Sequence, residues 1–258
     1  VRMKERERMM AVKREIRLIA LDMDGTLLNH NQEITEENKK AIKRAKESDI
    51  QIVISTGRPF QQIERYMDEL NLSSFSVTIN GSEIWESRGK LIEQHLFRQE
   101  QIERLWKLAN IHNLTYWAIT EGEIFHNNIP HHMDLSKYKW LKFGFDIHDT
   151  NLRNMIIEEL RKDDLEVTNS SPTNLEINPL GINKGSALEK VCDRLGFTMD
   201  HVMAVGDSLN DISMIKKAGF GVAMGNAQDT VKNAADWTTA TNEENGVAKA
   251  IYEVLGSC

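Results

Sequence analysis

Apolar and polar positions along the chain alternate between two rhythms. Residues 16 to 21 are apolar except for Arg17, which is how a strand buried on both faces of a parallel sheet reads, and the run ends at Asp22. Thr35 followed by Glu36 and Glu37 marks a helix start, with Ala41, Ile42 and Ala45 as its inner face before a second apolar run, residues 50 to 54. Together these make one βαβ unit. Phe60, Ile63, Met67 and Leu70 are spaced 3, 4, 3 behind Pro59 and predict another helix, which leads to a strand over 75 to 79. The grammar returns late in the chain. It predicts a helix over 185 to 195, a strand over 202 to 205, a helix over 209 to 217 and a strand over 220 to 224. A last helix carries Val247, Ile251, Val254 and Leu255 on one face.

Between these halves the pattern changes to strand pairs, 83 to 85 with 91 to 96 and 115 to 119 with 123 to 126. Helices over 100 to 111 and 151 to 161 and a strand over 174 to 178 accompany them. The expected architecture is α/β: a Rossmann-like parallel-sheet core, residues 16–86 and 180–258, with an inserted α+β domain over 87–179 and an N-terminal extension over 1–15. Both crossings, near 82 to 87 and 178 to 182, are short and marked by Gly81 and Gly181, a layout that permits hinge-like movement.

Composition narrows the functional classes. The chain has 258 residues, 40% hydrophobic and 28% charged, which supports a buried core and excludes wholesale disorder. Its apolar runs are far shorter than the roughly 20 residues that cross a bilayer. The first 16 residues are charged throughout and lack a secretory apolar segment, so a cytoplasmic location is expected. Cys192 and Cys258 sit in no metal-ligand or CxxC spacing and are expected to be free thiols without a chemical role. A net charge of −7 argues against a broad nucleic-acid surface.

Chemistry concentrates where predicted strands end, the usual place for ligand sites in open α/β sheets. The first strand runs into DMDGTL, residues 22 to 27. Carboxylates at i and i+2 of an extended backbone point to one side, so Asp22 and Asp24 are expected to converge. Two such like charges require a divalent cation or a shared proton. Ser55-Thr56-Gly57-Arg58-Pro59 combines hydroxyls, a bare glycine and a helix entrance, a phosphate-binding layout; the plain alternative is that Thr56 caps the following helix. GINKG, 181 to 185, puts Lys184 at another helix entrance, where a solvated lysine is the alternative. GDSLND, 206 to 211, brings Asp207, Asn210 and Asp211 to a third, where capping alone would also account for them. Asn80-Gly81 reads equally as a simple turn.

These four segments, in this order, resemble the four motifs of the haloacid dehalogenase superfamily of phosphohydrolases, and the likeness extends over the chain from about Ile16. The insertion resembles the α/β cap of the Cof-type, class IIB (C2B-type cap) sugar-phosphatase branch, and VAMGNA at 222 to 227 is similar to that branch's closing segment. The resemblance implies an Mg²⁺-dependent phosphatase acting on small phosphorylated metabolites, sugar phosphates or cofactor-pathway phosphates such as pyridoxal phosphate, flavin mononucleotide or phosphoribitylaminouracil. It casts Asp22 as nucleophile, giving an aspartyl-phosphate, and Asp24 as acid and then base. Mg²⁺ would be held by Asp22, the Asp24 main-chain carbonyl and Asp207, with Asp211 in support. The phosphoryl oxygens would meet Thr56, the backbone around Met23 and Gly57, Lys184 and Asn210, and Arg58 either assists or faces solvent.

Other readings share features with this one. A response-regulator receiver has a similar acidic pair but neither insertion nor DxDGT turn. A phosphomutase keeps the nucleophile and returns phosphate to a second hydroxyl, and a silent ligand sensor keeps only the fold. His126, His131 and His132 with Asp134 invite a zinc reading, although adjacent histidines on a strand face opposite ways. Trp85, Tyr116, Trp117 and Trp140 are expected in the core of the inserted domain more than at a substrate.

Overall fold

A computed structural model describes residues 16–87, 89–130 and 132–256; the expected N-terminal extension, His131 and Cys258 lie outside them. The first sheet contains β1 (Leu18–Leu21), β2 (Gln51–Ser55), β3 (Ser76–Thr78), β4 (Glu83–Glu86) and β5 (Lys90–Gln94). The inserted sheet follows, with β6 (Thr115–Thr120), β7 (Ile124–His126), β8 (Trp140–Asp146), β9 (Leu165–Thr168) and β10 (Asn174–Pro179). The chain then returns to the first sheet with β11 (Val202–Gly206), β12 (Phe220–Ala223) and β13 (Trp237–Thr238).

The core sheet has the order β13-β12-β11-β1-β2-β3-β4-β5 and is parallel from β13 to β3. Strand alternation explains its two covered faces. Ile19 and Leu21 pack with Ala41 and Ile42 of the helix Glu36–Glu47 and with Val247 and Ile251 of the helix Gly246–Leu255. Leu18 and Ala20 pack with Leu188 and Val191 of the helix Lys184–Leu195. Two expected helices are broken: a 3₁₀ turn Phe60–Gln62 precedes the helix Glu64–Glu69, and Leu209–Asp211 precedes Ile212–Lys217. Cys192 is buried and unpaired.

The boundary expected at residue 87 falls later. The hairpin β4–β5 extends the core sheet antiparallel to β3, because Ile84 pairs with Val77 and both are buried with Val53, so the core continues to Gln94. The inserted sheet is antiparallel in the order β7-β6-β8-β10-β9. One face is apolar: Tyr116, Ala118, Phe143, Phe145, Leu175 and Ile177 pack with side chains of the helices Gln99–Ile111 and Thr150–Leu160. The other face, with Trp117, Ile119, Lys142 and Glu176, lies over the strand ends of the core. A register shift between Ile119 and Thr120 accompanies a turn of Leu141 toward this second face, where it packs on Ile79. Among the described residues no helix is long and apolar enough to cross a membrane.

Candidate active site

Asp22 follows β1 directly, its N–H donating to the Val205 carbonyl at 3.0 Å. The helix that carries Lys184 is started by Asn183, whose side chain accepts from the Ser186 N–H at 2.9 Å while its own N–H donates to the Ser186 hydroxyl at 3.2 Å. Gly185 lets this helix cross the next one closely, since a Cβ there would lie 2.6 Å from the Ser213 main chain. The Lys184 ammonium, fully buried, donates to Asp22 Oδ1 at 2.7 Å and to Asp211 Oδ1 at 2.6 Å. Asp211 Oδ2 accepts from the N–H groups of Asp207 and Ser208 at 2.9 and 3.0 Å, so both its oxygens are occupied. Asp207 accepts from the Thr26 hydroxyl at 3.2 Å and from the Ser208 hydroxyl at 3.0 Å. Gly25 has φ +77°, and a Cβ there would lie 2.6 Å from Asp207 Oδ2.

Three carboxylates, Asp22, Asp207 and Asp211, thus offer oxygens within 4.8 Å of one another against one ammonium. Burial, reinforced by Asp211, raises the Asp22 carboxyl well above its ordinary value, and the same causes push Asp207 up to about 7. For Lys184 burial acts the other way, but Asp211 and Asp22 outweigh it and hold the ammonium above the usual lysine range. The cluster lacks positive charge, and its donors are hard oxygens. A divalent cation fits both facts, with Asp22 and Asp207 the carboxylates left to face it.

Asp24 is not part of this group. Its carboxylate accepts two bonds from Arg58, at 2.7 Å to Nε and 2.5 Å to Nη2, and the same guanidinium also bonds Gln32 and lies over the Tyr66 ring. Asp24 lines the same cleft as Asp22, but β1 ends at Leu21 and Asp24 makes only an isolated bridge to Leu28, with its carboxylate held by Arg58 and not by Lys184. Arg58 is therefore paired and does not simply face solvent. Thr56 is buried, and its hydroxyl accepts from the Arg58 N–H at 3.2 Å, closing the turn; it does not cap the helical turn after Pro59. The Met23 side chain is buried in the core, leaving only its backbone for a ligand. The Asn210 amide is taken up by Glu176 Oε2 at 3.2 Å and Asn80 Oδ1 at 3.4 Å.

These bonds belong to a buried network that spacing along the chain does not reveal. Glu176 Oε1 meets Lys142 Nζ at 2.9 Å and the Ser170 hydroxyl at 2.9 Å, while its Oε2 accepts from Asn80 at 2.7 Å. Lys142 reaches the Gly57 carbonyl at 3.4 Å, and Asn178 donates to Ser82 and Ile79. Burial would raise the Glu176 carboxyl, but Lys142 and the Asn80 amide bring it down to about 2. The available signal was alternation, which puts Lys142 and Gly144, and likewise Glu176 and Asn178, on one face of their strands. Between core and inserted domain lies a cleft of about 300 Å³, lined by Asp22, Asp24, Gly57, Asp207 and Asn210 below and by Trp117, Ile119, Lys142 and Glu176 above. His126 also lines it. Asp134 instead caps the turn Leu135–Lys137, and among the described residues only the Asp22, Asp207 and Asp211 group has the proximity of a metal site.

A carboxylate cluster at the carboxyl ends of parallel strands, roofed by an inserted α+β domain, defines a capped α/β hydrolase. The sequence profile of the haloacid dehalogenase-like hydrolases matches residues 19–155 and 129–251. The chain is 55% identical over 246 residues to the 5-amino-6-(5-phospho-D-ribitylamino)uracil phosphatase YcsE of Bacillus subtilis (strain 168), covering 94% of this chain and 98% of that protein. A haloacid dehalogenase-like hydrolase from B. subtilis has the same fold at TM-score 0.84 and 26% identity, over 92% of this chain and 99% of its own. The HAD subclass IIB sugar phosphatase BT4131 matches in fold at TM-score 0.81 and 23% identity, over 92% and 98%. The chain belongs to the haloacid dehalogenase superfamily, in its Cof-type branch, and is a phosphomonoester hydrolase.

Proposed function

We propose that this enzyme cleaves small phosphate monoesters through an aspartyl-phosphate on Asp22, and that phosphoribitylaminouracil, on which the relative with 55% identity acts, is the first substrate to test. The observation that carries the reading is the Lys184 clamp. It fixes one Asp22 oxygen and leaves the other without a hydrogen-bond partner among the described residues, on the floor of the cleft. An Asp22 oxygen attacks phosphorus as the bond to the leaving alkoxide breaks, and Asp24 supplies the proton that makes it an alcohol. Water then attacks the same phosphorus, Asp24 takes its proton, and the Asp22 carboxylate is released with inorganic phosphate. For this Asp24 leaves its pairing with Arg58. Lys184, Thr56 and the backbone of Met23 and Gly57 are assigned to the phosphoryl oxygens, and Asn210 joins them only by giving up its amide bonds to Glu176 and Asn80. Mg²⁺, held by Asp22, Asp207 and the Asp24 carbonyl, supplies the positive charge that the cluster lacks.

The test is phosphate release with Mg²⁺ from phosphoribitylaminouracil, flavin mononucleotide, pyridoxal phosphate and hexose phosphates, with product analysis to separate hydrolysis from phosphoryl transfer to a second hydroxyl. Asp22→Asn is expected to abolish release while the circular dichroism stays native. Full activity in that variant refutes the nucleophile.

A further inference from the structure

The roof of the cleft differs from its floor. Below and behind it the lining is mostly polar, with Asp22, Asp24, Arg58, Gln62, Asp207 and Asn210, whereas the hairpin β6–β7 contributes Trp117, Ile119 and Ile124, with His126 at their edge. Trp117 lies opposite Gly144 in the register, and a Cβ on Gly144 would fall 2.2 Å from Cε2 and Cζ2 of the indole. The six-membered half of the ring therefore sits against the bare backbone of Gly144, and any side chain at 144 would displace it. Two other tryptophans are tied into the protein. The Trp85 N–H donates to Thr78 and Glu83 and its ring stacks on Phe60, and the Trp140 N–H donates to the Leu135 carbonyl beside Phe125. Trp117 has neither an acceptor for its N–H nor an aromatic partner among the described residues, and its partly exposed ring lines the cleft that holds Asp22.

We propose that Trp117 is the specificity residue against which a planar conjugated ring in the leaving group stacks, so that the preferred substrate is a phosphate ester carrying such a ring beyond a hydroxylated linker. The proposal rests on the phosphatase reading above. A polyol presented to Trp117, Ile119 and Ile124 would lose water and gain almost no hydrogen bonds, whereas a flat ring exchanges water for a π face. Gln62, Ser170 and Ser208 also line the cleft and give a hydroxylated linker polar contacts on its way to Asp22. The rigid backing of Gly144 means that little ring motion is lost when the substrate arrives.

Phosphoribitylaminouracil and ribitol 5-phosphate share the phosphorylated chain and differ by the ring, so they form the test pair. Stacking of a base on an aromatic side chain is typically worth about ten- to a hundredfold in affinity. Trp117→Ala is expected to lower kcat/KM for the ring-bearing ester at least about tenfold, mainly through KM, and to change ribitol 5-phosphate less than about twofold. Trp117→Phe should retain most of the preference. If the alanine variant does not fold, Trp117→Leu, which keeps apolar bulk without a π face, decides the same question. Equal losses on both esters, or none, overturn the stacking role while leaving the phosphatase reading intact. Wild-type protein that hydrolyses neither ester nor any of the other phosphates overturns that reading, and the proposal with it.

Discussion

Replacing Lys142 by Met tests the buried network beneath the cap most directly. Glu176 falls from 4.5 to about 2 because Lys142, helped by Asn80 and Ser170, outweighs the effect of burial. A tenfold change in a proton equilibrium is worth about 1.4 kcal/mol, so the depressed value corresponds to stabilisation of about 3 kcal/mol. Breaking one side of a buried ion pair typically costs about 3 to 5 kcal/mol, an independent figure of the same size. Since the folded value is depressed, the stabilisation is fully present above about pH 4.5 and is lost as pH falls toward 2. Lys142→Met should therefore lower the free energy of unfolding by about 3 kcal/mol at pH 7 and by less than about half of that at pH 3. Urea unfolding of wild type and variant at both pH values measures the difference. The double variant Lys142→Met with Glu176→Gln, which removes both charges, should recover most of the loss. A deficit below about 1 kcal/mol at pH 7, or one that does not change with pH, would falsify the reasoning.

Gly25→Ala meets both a positive φ and the Asp207 carboxylate, so it should cost about 1 to 3 kcal/mol of stability and raise the Mg²⁺ concentration needed for half-maximal phosphate release. Unchanged Mg²⁺ saturation would count against Asp207 as a ligand. Asp207, raised to about 7 by burial and Asp211, retains in the folded state a proton that the unfolded chain releases. In EDTA the thermal midpoint should then fall as pH rises from about 4 to about 7, and Mg²⁺ should restore more at pH 7.5 than at pH 5. An Mg²⁺ effect independent of pH contradicts this. EDTA-treated enzyme should regain activity with Mg²⁺ alone, whereas recovery that requires Zn²⁺ would point to a different centre.

The parallel core was legible because its strands are short apolar runs whose pairing and helix crossovers obey local rules, and because Asp22 and Asp207 directly follow such strands while Lys184 opens a helix. Legibility ended where the chain leaves regular geometry. Asp24 lies beyond the end of β1, in an isolated bridge to Leu28, and its Arg58 partner comes from the segment after β2. The central strand β8 was missed because Lys142 and Gly144, alternating with Phe143 and Phe145, look like the solvent side of a half-exposed strand. Only the closure of one domain over the other buries that side. The same closure diverts Asn210 to Glu176, a partner 34 residues away.

The position of the cleft's roof in the cap sheet has an evolutionary consequence. Lys142 and Glu176 stand on the interior strands β8 and β10 and bond to groups of the core, whereas Trp117 and Ile119 stand on β6, paired with the outermost strand β7. Substitutions in that hairpin can reshape what the enzyme accepts without rewiring the groups that do the chemistry. A lineage, or a protein engineer, can thus exchange substrates by altering a sheet margin while inheriting the reaction unchanged.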